Sequence, residues 1–328
     1  MTNEKIRVAF IYKRNYVFLT GNHFDNTTYY FFMNALQRNK ELDVTYFPSD
    51  NKFDASQLKD KFDIILLPNN NTDGTPDELT GIRNLKTPVI SRTGDPHYAK
   101  KYNQFQFHEK YKIDYYFNLQ PTSYFYQFYP KHFKFKQILF GLEPSLYQHV
   151  KPFKDRIKNR ILNSGNVGRP TLKSKIANMI LHRKTSAWHF YKLRTKCNYL
   201  PYVDHTGMKG NKYINEDYPS YLSQYRASIA AGTYFPVIKY FEIPAAGCLT
   251  FMEVTKKNDA ARLGYQDNKT AVFINVDNYK DRFEEFLNDP DNEKWENIAN
   301  AGKKYTLEEV NNDRGVDELV RLMKQLLG

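Results

Sequence analysis

The chain has 328 residues, of which 41% are hydrophobic and 26% charged, and its formal net charge is +12. That length holds two domains with separate cores, and that balance excludes a wholly disordered chain. The excess of cations calls for an anionic partner: a nucleotide, an anionic membrane surface, or nucleic acid.

The start of the chain lacks the pattern of a signal peptide, and no apolar run approaches the ~18 residues of a membrane span. The expectation is a cytoplasmic protein able to touch the inner membrane surface peripherally. Only Cys197 and Cys248 are present, far apart and without histidines at zinc spacing, so neither a disulfide framework nor a structural metal is expected.

In chain order, residues 7–12 read as a buried parallel strand, followed by a helix over 29–37 capped by Asp25 or Thr27. A strand at 42–47, a helix at 54–61 and a strand at 62–68 follow, the last stopped by Pro68 and an asparagine loop. A helix at 76–85 and a strand at 88–91 lead into Arg92-Thr93-Gly94-Asp95-Pro96-His97, which breaks regular structure. Strands at 113–118 and 136–140 flank a helical turn at 122–128, and the first domain ends near residue 150. The second, 151–328, opens with a strand at 160–164 running into Gly165-Asn166-Val167-Gly168 and a helix at 171–181; a last helix at 315–327 packs back toward the first domain. This is βαβ grammar in both halves: an α/β protein of two Rossmann-like domains.

Loops leaving the carboxyl ends of parallel strands are where such folds bind ligands. In the first domain that points to Asp95 and His97, a carboxylate and an imidazole able to take a proton from an acceptor hydroxyl, and to His23 on the first loop. Asp95-Pro96 also suits a plain turn with Asp bonding its own backbone. In the second domain Lys239 and Glu242 lie one helical turn apart, placing a cation for a diphosphate and a carboxylate for ribose hydroxyls on one face. The same pair also suits an amphipathic surface helix with a routine ion pair. The glycine loop lacks the third glycine of a dinucleotide fingerprint, and nothing matches a Walker loop. Basic residues cluster at 131–136, 151–160, 169–175 and 182–196, each as compatible with a solvated face as with anion binding.

The run Lys239-Tyr240-Phe241-Glu242-Ile243-Pro244-Ala245-Ala246-Gly247 resembles the Arg-x-x-Glu-x-x-Ala-x-Gly segment of GT-B glycosyltransferases of the group 1 type, especially the CgeB-like group. Gly141-Leu142-Glu143-Pro144-Ser145-Leu146-Tyr147 is similar to the element that ends the first domain there, and Leu263-Gly264-Tyr265, 271–275 and 279–283 follow in matching order. The resemblance implies a GT-B architecture with two domains facing a cleft, an acceptor-side domain first and a donor-side domain second. It implies a nucleotide-sugar donor held by Gly165, Asn166, Arg169, Lys173, Tyr234, Lys239, Tyr240 and Glu242, a glycan or lipid-linked acceptor, and no metal or other cofactor. Two departures stand out: Tyr234 occupies the place of the first carboxylate in the Glu-x7-Glu pair of many retaining members, and Lys239 replaces an arginine. Modified nucleic acid bases as acceptor, or a non-catalytic nucleotide-sugar-binding protein of the same shape, are the alternatives.

Overall fold

The computed structural model describes residues 4–15, 26–71, 73–168, 171, 173, 176–177, 180, 186–206 and 217–328. It divides into two compact units, residues 1–141 with 312–328, and residues 142–311. The division thus falls before residue 150, and the terminal helix belongs to the first unit.

In the first unit, β1 (Ile6–Tyr12), α1 (Asn26–Arg38), β2 (Leu42–Pro48), β3 (Lys52–Asp54), β4 (Ile64–Leu67), β5 (Glu78–Thr80), β6 (Val89–Arg92), α2 (Gln104–Tyr111), β7 (Tyr115–Asn118), α3 (Thr122–Phe125) and β8 (Phe135–Gln137) follow one another. Six strands form a parallel sheet in the order β2-β1-β4-β6-β7-β8. Ile64 to Leu67 are buried on both faces, as a central parallel strand requires. Alternate residues serve two cores: Val8, Phe10, Ile64 and Leu66 pack against Leu36 of α1 and Leu319 and Met323 of the terminal helix, whereas Ala9, Ile11, Ile65 and Leu67 face Phe107, Tyr111 and Phe125. Burying each Val, Leu, Ile, Phe or Met among them contributes about 1.5–3 kcal/mol before the opposing chain entropy.

The helices expected at 54–61 and 76–85 are not formed. Both places hold 3-10 turns, over Ala55–Leu58 and Ile82–Asn84, each preceded by a short strand. β3 and β5 pair in a small parallel sheet with Lys52 opposite Glu78, and Phe53 packs edge-on against Phe47 at 5.4 Å. Strand pairing and the partial burial of Phe53 against the core outweigh local helix propensity. Gly81 closes this unit with φ +73°, where a Cβ would stand 2.5 Å from Asp54 Oδ1, so only glycine fits without displacement.

The second unit contains β9 (Ile157–Ser164), α4 (Ala187–Phe190), α5 (Lys192–Cys197), β10 (Val203–Thr206), α6 (Asp217–Leu222), β11 (Tyr225–Ala230), α7 (Lys239–Ala245), β12 (Leu249–Glu253), β13 (Val272–Ile274), α8 (Tyr279–Asn288) and α9 (Glu293–Glu309); α10 (Asn312–Leu327) returns to the first. Its five strands are parallel in the order β10-β9-β11-β12-β13. The strand order therefore reverses between β9 and β11. That reversal opens a crevice at the carboxyl ends of those two strands, and the loops leaving them carry the glycine run and the lead-in to α7. Among the described residues no helix is long and apolar enough to cross a membrane.

Candidate functional site

At the β9–β11 reversal the chain gathers cations around one glycine. Gly165 takes φ +91°, and a Cβ there would lie 2.8 Å from Lys239 Cε and 3.1 Å from Arg194 Nη2. Lys239, the first residue of α7, is 5% exposed; Glu242 is 2% exposed. A surface helix with a solvated ion pair is thereby excluded. Lys239 Nζ donates to Tyr218 Oη at 2.5 Å and lies 4.8 Å from that ring's centroid, and Tyr218 Oη pairs with Ser164 Oγ at 2.7 Å. Arg194 is fully buried and held by neutral groups, Asn163 Oδ1 at 3.1 Å and the Ser164 carbonyl, and burial lowers its proton affinity. Glu242, on the same face as Lys239, lies near Tyr147 and Tyr218, and its charge adds to the burial that raises both phenols well above their usual range.

Because α7 has seven residues, the macrodipole expected to favour a phosphate is small; the charge here resides in the Lys239 and Arg194 side chains. Two cations buried beside a glycine with a bare Cα form a cradle for an anionic group approaching the backbone. Gly165→Ala should therefore abolish saturable binding of a nucleoside diphosphate in a calorimetric titration; binding within twofold of the parent would show that this approach is not used.

Other expected donor residues are placed differently. Asn166 is exposed beside Gly165, Lys173 is exposed, and Arg169 and His23 lie outside the described residues. Tyr240 is fully buried and turned away from Gly165: its hydroxyl donates to the Glu253 carbonyl at 2.8 Å and accepts from the Gly232 amide at 3.1 Å. It ties loop to strand, so its contribution is structural. Tyr234 is half-buried, with its hydroxyl 3.1 Å from His189 Nδ1 and Lys257 Nζ 4.1 Å from its ring centroid. Arg194, Tyr218 and Tyr147 were not anticipated. Arg194 was hidden in a basic stretch that reads as a solvated face, and Tyr218 in a short helix of no distinctive pattern.

Part of the basic character is consumed internally. Arg156 bonds the Gly247 carbonyl at 2.7 Å, Arg160 pairs with Asp204 at 2.9 Å, Lys158 with Asp291 at 2.5 Å and Lys136 with Glu318 at 3.0 Å.

In the first unit, the loop after β6 is fixed by asparagines from neighbouring strand ends. Asn70 Oδ1 accepts from the Gly94 amide at 2.8 Å, Asn70 Nδ2 donates to Tyr129 Oη at 2.8 Å, and Asn118 Nδ2 donates to the Thr93 carbonyl at 2.6 Å. This holds Asp95 exposed, in contact with Gln120 Nε2 at 3.3 Å, and His97 half-buried with Nδ1 3.1 Å from Tyr124 Oη. Burial lowers the His97 pKa below the ordinary histidine range, against a smaller upward pull from the Asp95 charge. The imidazole is neutral at pH 7 and able to accept a proton. Among the described residues no three His, Cys, Asp or Glu side chains converge as a metal site.

No family model matches the sequence, and no curated protein matches it. Solved structures do. The chain is similar to Anabaena HepE, solved with UDP-glucose, at 10% identity and a TM-score of 0.56 over 98% of this chain and 100% of that one. An alpha-glucosyltransferase solved with UDP gives 8% identity and a TM-score of 0.59 over 98% of this chain and 100% of that one. The sucrose-phosphate synthase of Thermosynechococcus elongatus gives 11% identity and a TM-score of 0.50 over 83% of this chain and 75% of that one. These neighbours are GT-B glycosyltransferases, and the fold of this chain is GT-B, an α/β fold of two Rossmann-like domains.

Proposed function

We propose that the protein is a glycosyltransferase that moves a sugar from a nucleotide-sugar donor to a hydroxyl of a saccharide, glycan or lipid-linked acceptor, without a metal. The carrying observation is the burial of Lys239 and Arg194 around Gly165 at the strand-order reversal. In this reading the two cations take the diphosphate and stabilise the charge that grows on it as the glycosidic bond breaks, which is the service a divalent ion gives elsewhere. Glu242 takes ribose hydroxyls, and Asp95 and His97 in the first unit receive the acceptor. HepE and the alpha-glucosyltransferase, both solved with UDP-glucose, support the donor class.

The test is thermal stabilisation by a panel of UDP-, GDP-, TDP-, ADP- and CMP-sugars, since a ligand that binds only the folded state raises the melting temperature. One nucleotide class should give a shift that survives EDTA. No shift with any, together with no donor hydrolysis, would sink the reading. A shift abolished by EDTA would sink its metal-free part.

A second reading, with a modified nucleic acid base as acceptor, is favoured by the net charge of +12 and by the alpha-glucosyltransferase having been solved with UDP-glucose and DNA containing an abasic site. Its mark is acceptor affinity that falls steeply and linearly with salt on logarithmic axes.

A further inference from the structure

Glu253 is the last residue of β12 and is 5% exposed, and its Oε2 is buried with no hydrogen-bond partner among the described residues. A buried carboxylate oxygen left without a donor is unfavourable, and native folds rarely keep one unless something else completes it. The surrounding backbone is not slack. The Glu253 carbonyl accepts from Tyr240 Oη at 2.8 Å and Asn258 Nδ2 at 2.9 Å, and the same asparagine donates to the Gly232 carbonyl at 2.9 Å. The end of β12 and the loop after β11 are therefore one braced unit, and the orphan oxygen sits on it.

The braced unit adjoins the cation cradle. Lys239 and Tyr240 are consecutive in α7, the first turned to Gly165 at the end of β9, the second to Gly232 and Glu253 at the ends of β11 and β12. Strands β9 and β12 are two steps apart in the sheet, about 10 Å at the usual strand spacing. A group one linkage beyond a diphosphate held at Gly165 falls within reach of Glu253. The charged and titratable groups facing the carboxyl are Lys192 from α5, Lys257 from the loop after β12, and Cys197 and Tyr240. Burial pushes Glu253 up to about 7, against the pull of the nearby Gly232 amide and of both lysines.

We propose that Glu253 reads the sugar of the donor, its Oε2 accepting a hydrogen bond from a hydroxyl of the transferred residue. The proposal rests on the nucleotide-sugar reading above and gives that donor a second anchoring point, distinct from the diphosphate cradle.

The experiment compares parent, Glu253→Gln and Glu253→Asp in calorimetric titrations with the nucleotide sugar that shifts the parent in the panel and with its nucleoside diphosphate alone. The amide keeps the shape of the side chain without its charge, and the aspartate withdraws the charge by one methylene. Both variants should bind the diphosphate within twofold of the parent and lose about ten- to a hundredfold of its preference for the nucleotide sugar. In the parent that preference should also change with pH around 7 and be flat in Glu253→Gln. A parent-like preference in both variants overturns the proposal while leaving the donor site intact. Loss of diphosphate binding in both would assign Glu253 to holding the fold and overturn the proposal as well. A parent that binds no diphosphate at all overturns this proposal and the reading beneath it together.

Discussion

Lys239→Met should lower affinity for the nucleoside diphosphate by about 30- to 100-fold, the equivalent of the ~2–3 kcal/mol that a charge-assisted hydrogen bond supplies. Methionine fills the aliphatic path of lysine and removes only the charge and its donors. With Lys239 at 5% exposure, the ammonium is held against Tyr218 and beside Gly165. The substitution also takes the donor from Tyr218 and removes a cation one helical turn from the buried Glu242, so some loss of fold stability accompanies it. Affinity should therefore be measured at a temperature where circular dichroism shows the variant folded, and its loss there is the diagnostic. A lowered melting temperature with unchanged affinity would mean that Lys239 props up Tyr218 and does not meet a ligand. Arg194→Met is a less clean probe, because its guanidinium also ties Asn163 to the Ser164 carbonyl and its loss strands both.

How much of this was readable beforehand follows from where each signal lies. The strands were legible because parallel strands buried on both faces are continuous apolar runs: Ile64-Ile65-Leu66-Leu67 admits hardly any other reading. The segments at 54–61 and 76–85 were not, since their fate depends on the pairing of Lys52 to Asp54 with Glu78 to Thr80, a contact between residues distant in sequence. For the site, Gly165 and the Lys239–Glu242 spacing were visible because a local turn and one helical turn bring them into register. Arg194 reaches Gly165 only through the placement of α5, so its burial could not be seen in a stretch of cations. Tyr240 shows the converse. It belongs to the recognisable motif, yet the helix turns it to Gly232 and Glu253, where its hydroxyl is spent on bracing. Glu253 is visible in the sequence only as a carboxylate eleven positions beyond Glu242; its burial follows from its place at the end of β12.

His97→Gln should slow transfer by about 10²- to 10⁴-fold, the span of general acid–base catalysis, and leave donor affinity unchanged. The loop that carries His97 is held by Asn70 and Asn118, and the ring by Tyr124, so the position of the side chain is set by groups that the substitution leaves in place. The pH dependence separates a base from a merely positioned ring. Burial keeps the His97 pKa below its ordinary 6.5, so the neutral form dominates at pH 7 and kcat should fall only as pH drops below that value. Asp95 raises that pKa through its charge, so Asp95→Asn should move the acid limb to still lower pH. For stability the sign is the same: the unfolded chain binds the proton more readily than the folded one, so the contribution of His97 is present at neutral pH and lost as pH falls through the unfolded value of 6.5 and below. If His97→Gln abolishes transfer but the acid limb in the parent is unmoved by Asp95→Asn, the group titrating in catalysis is not His97, and the imidazole serves to orient the acceptor. If neither substitution changes kcat, proton transfer from the acceptor is handled on the donor side, where the departing phosphate held by Lys239 and Arg194 is the remaining base.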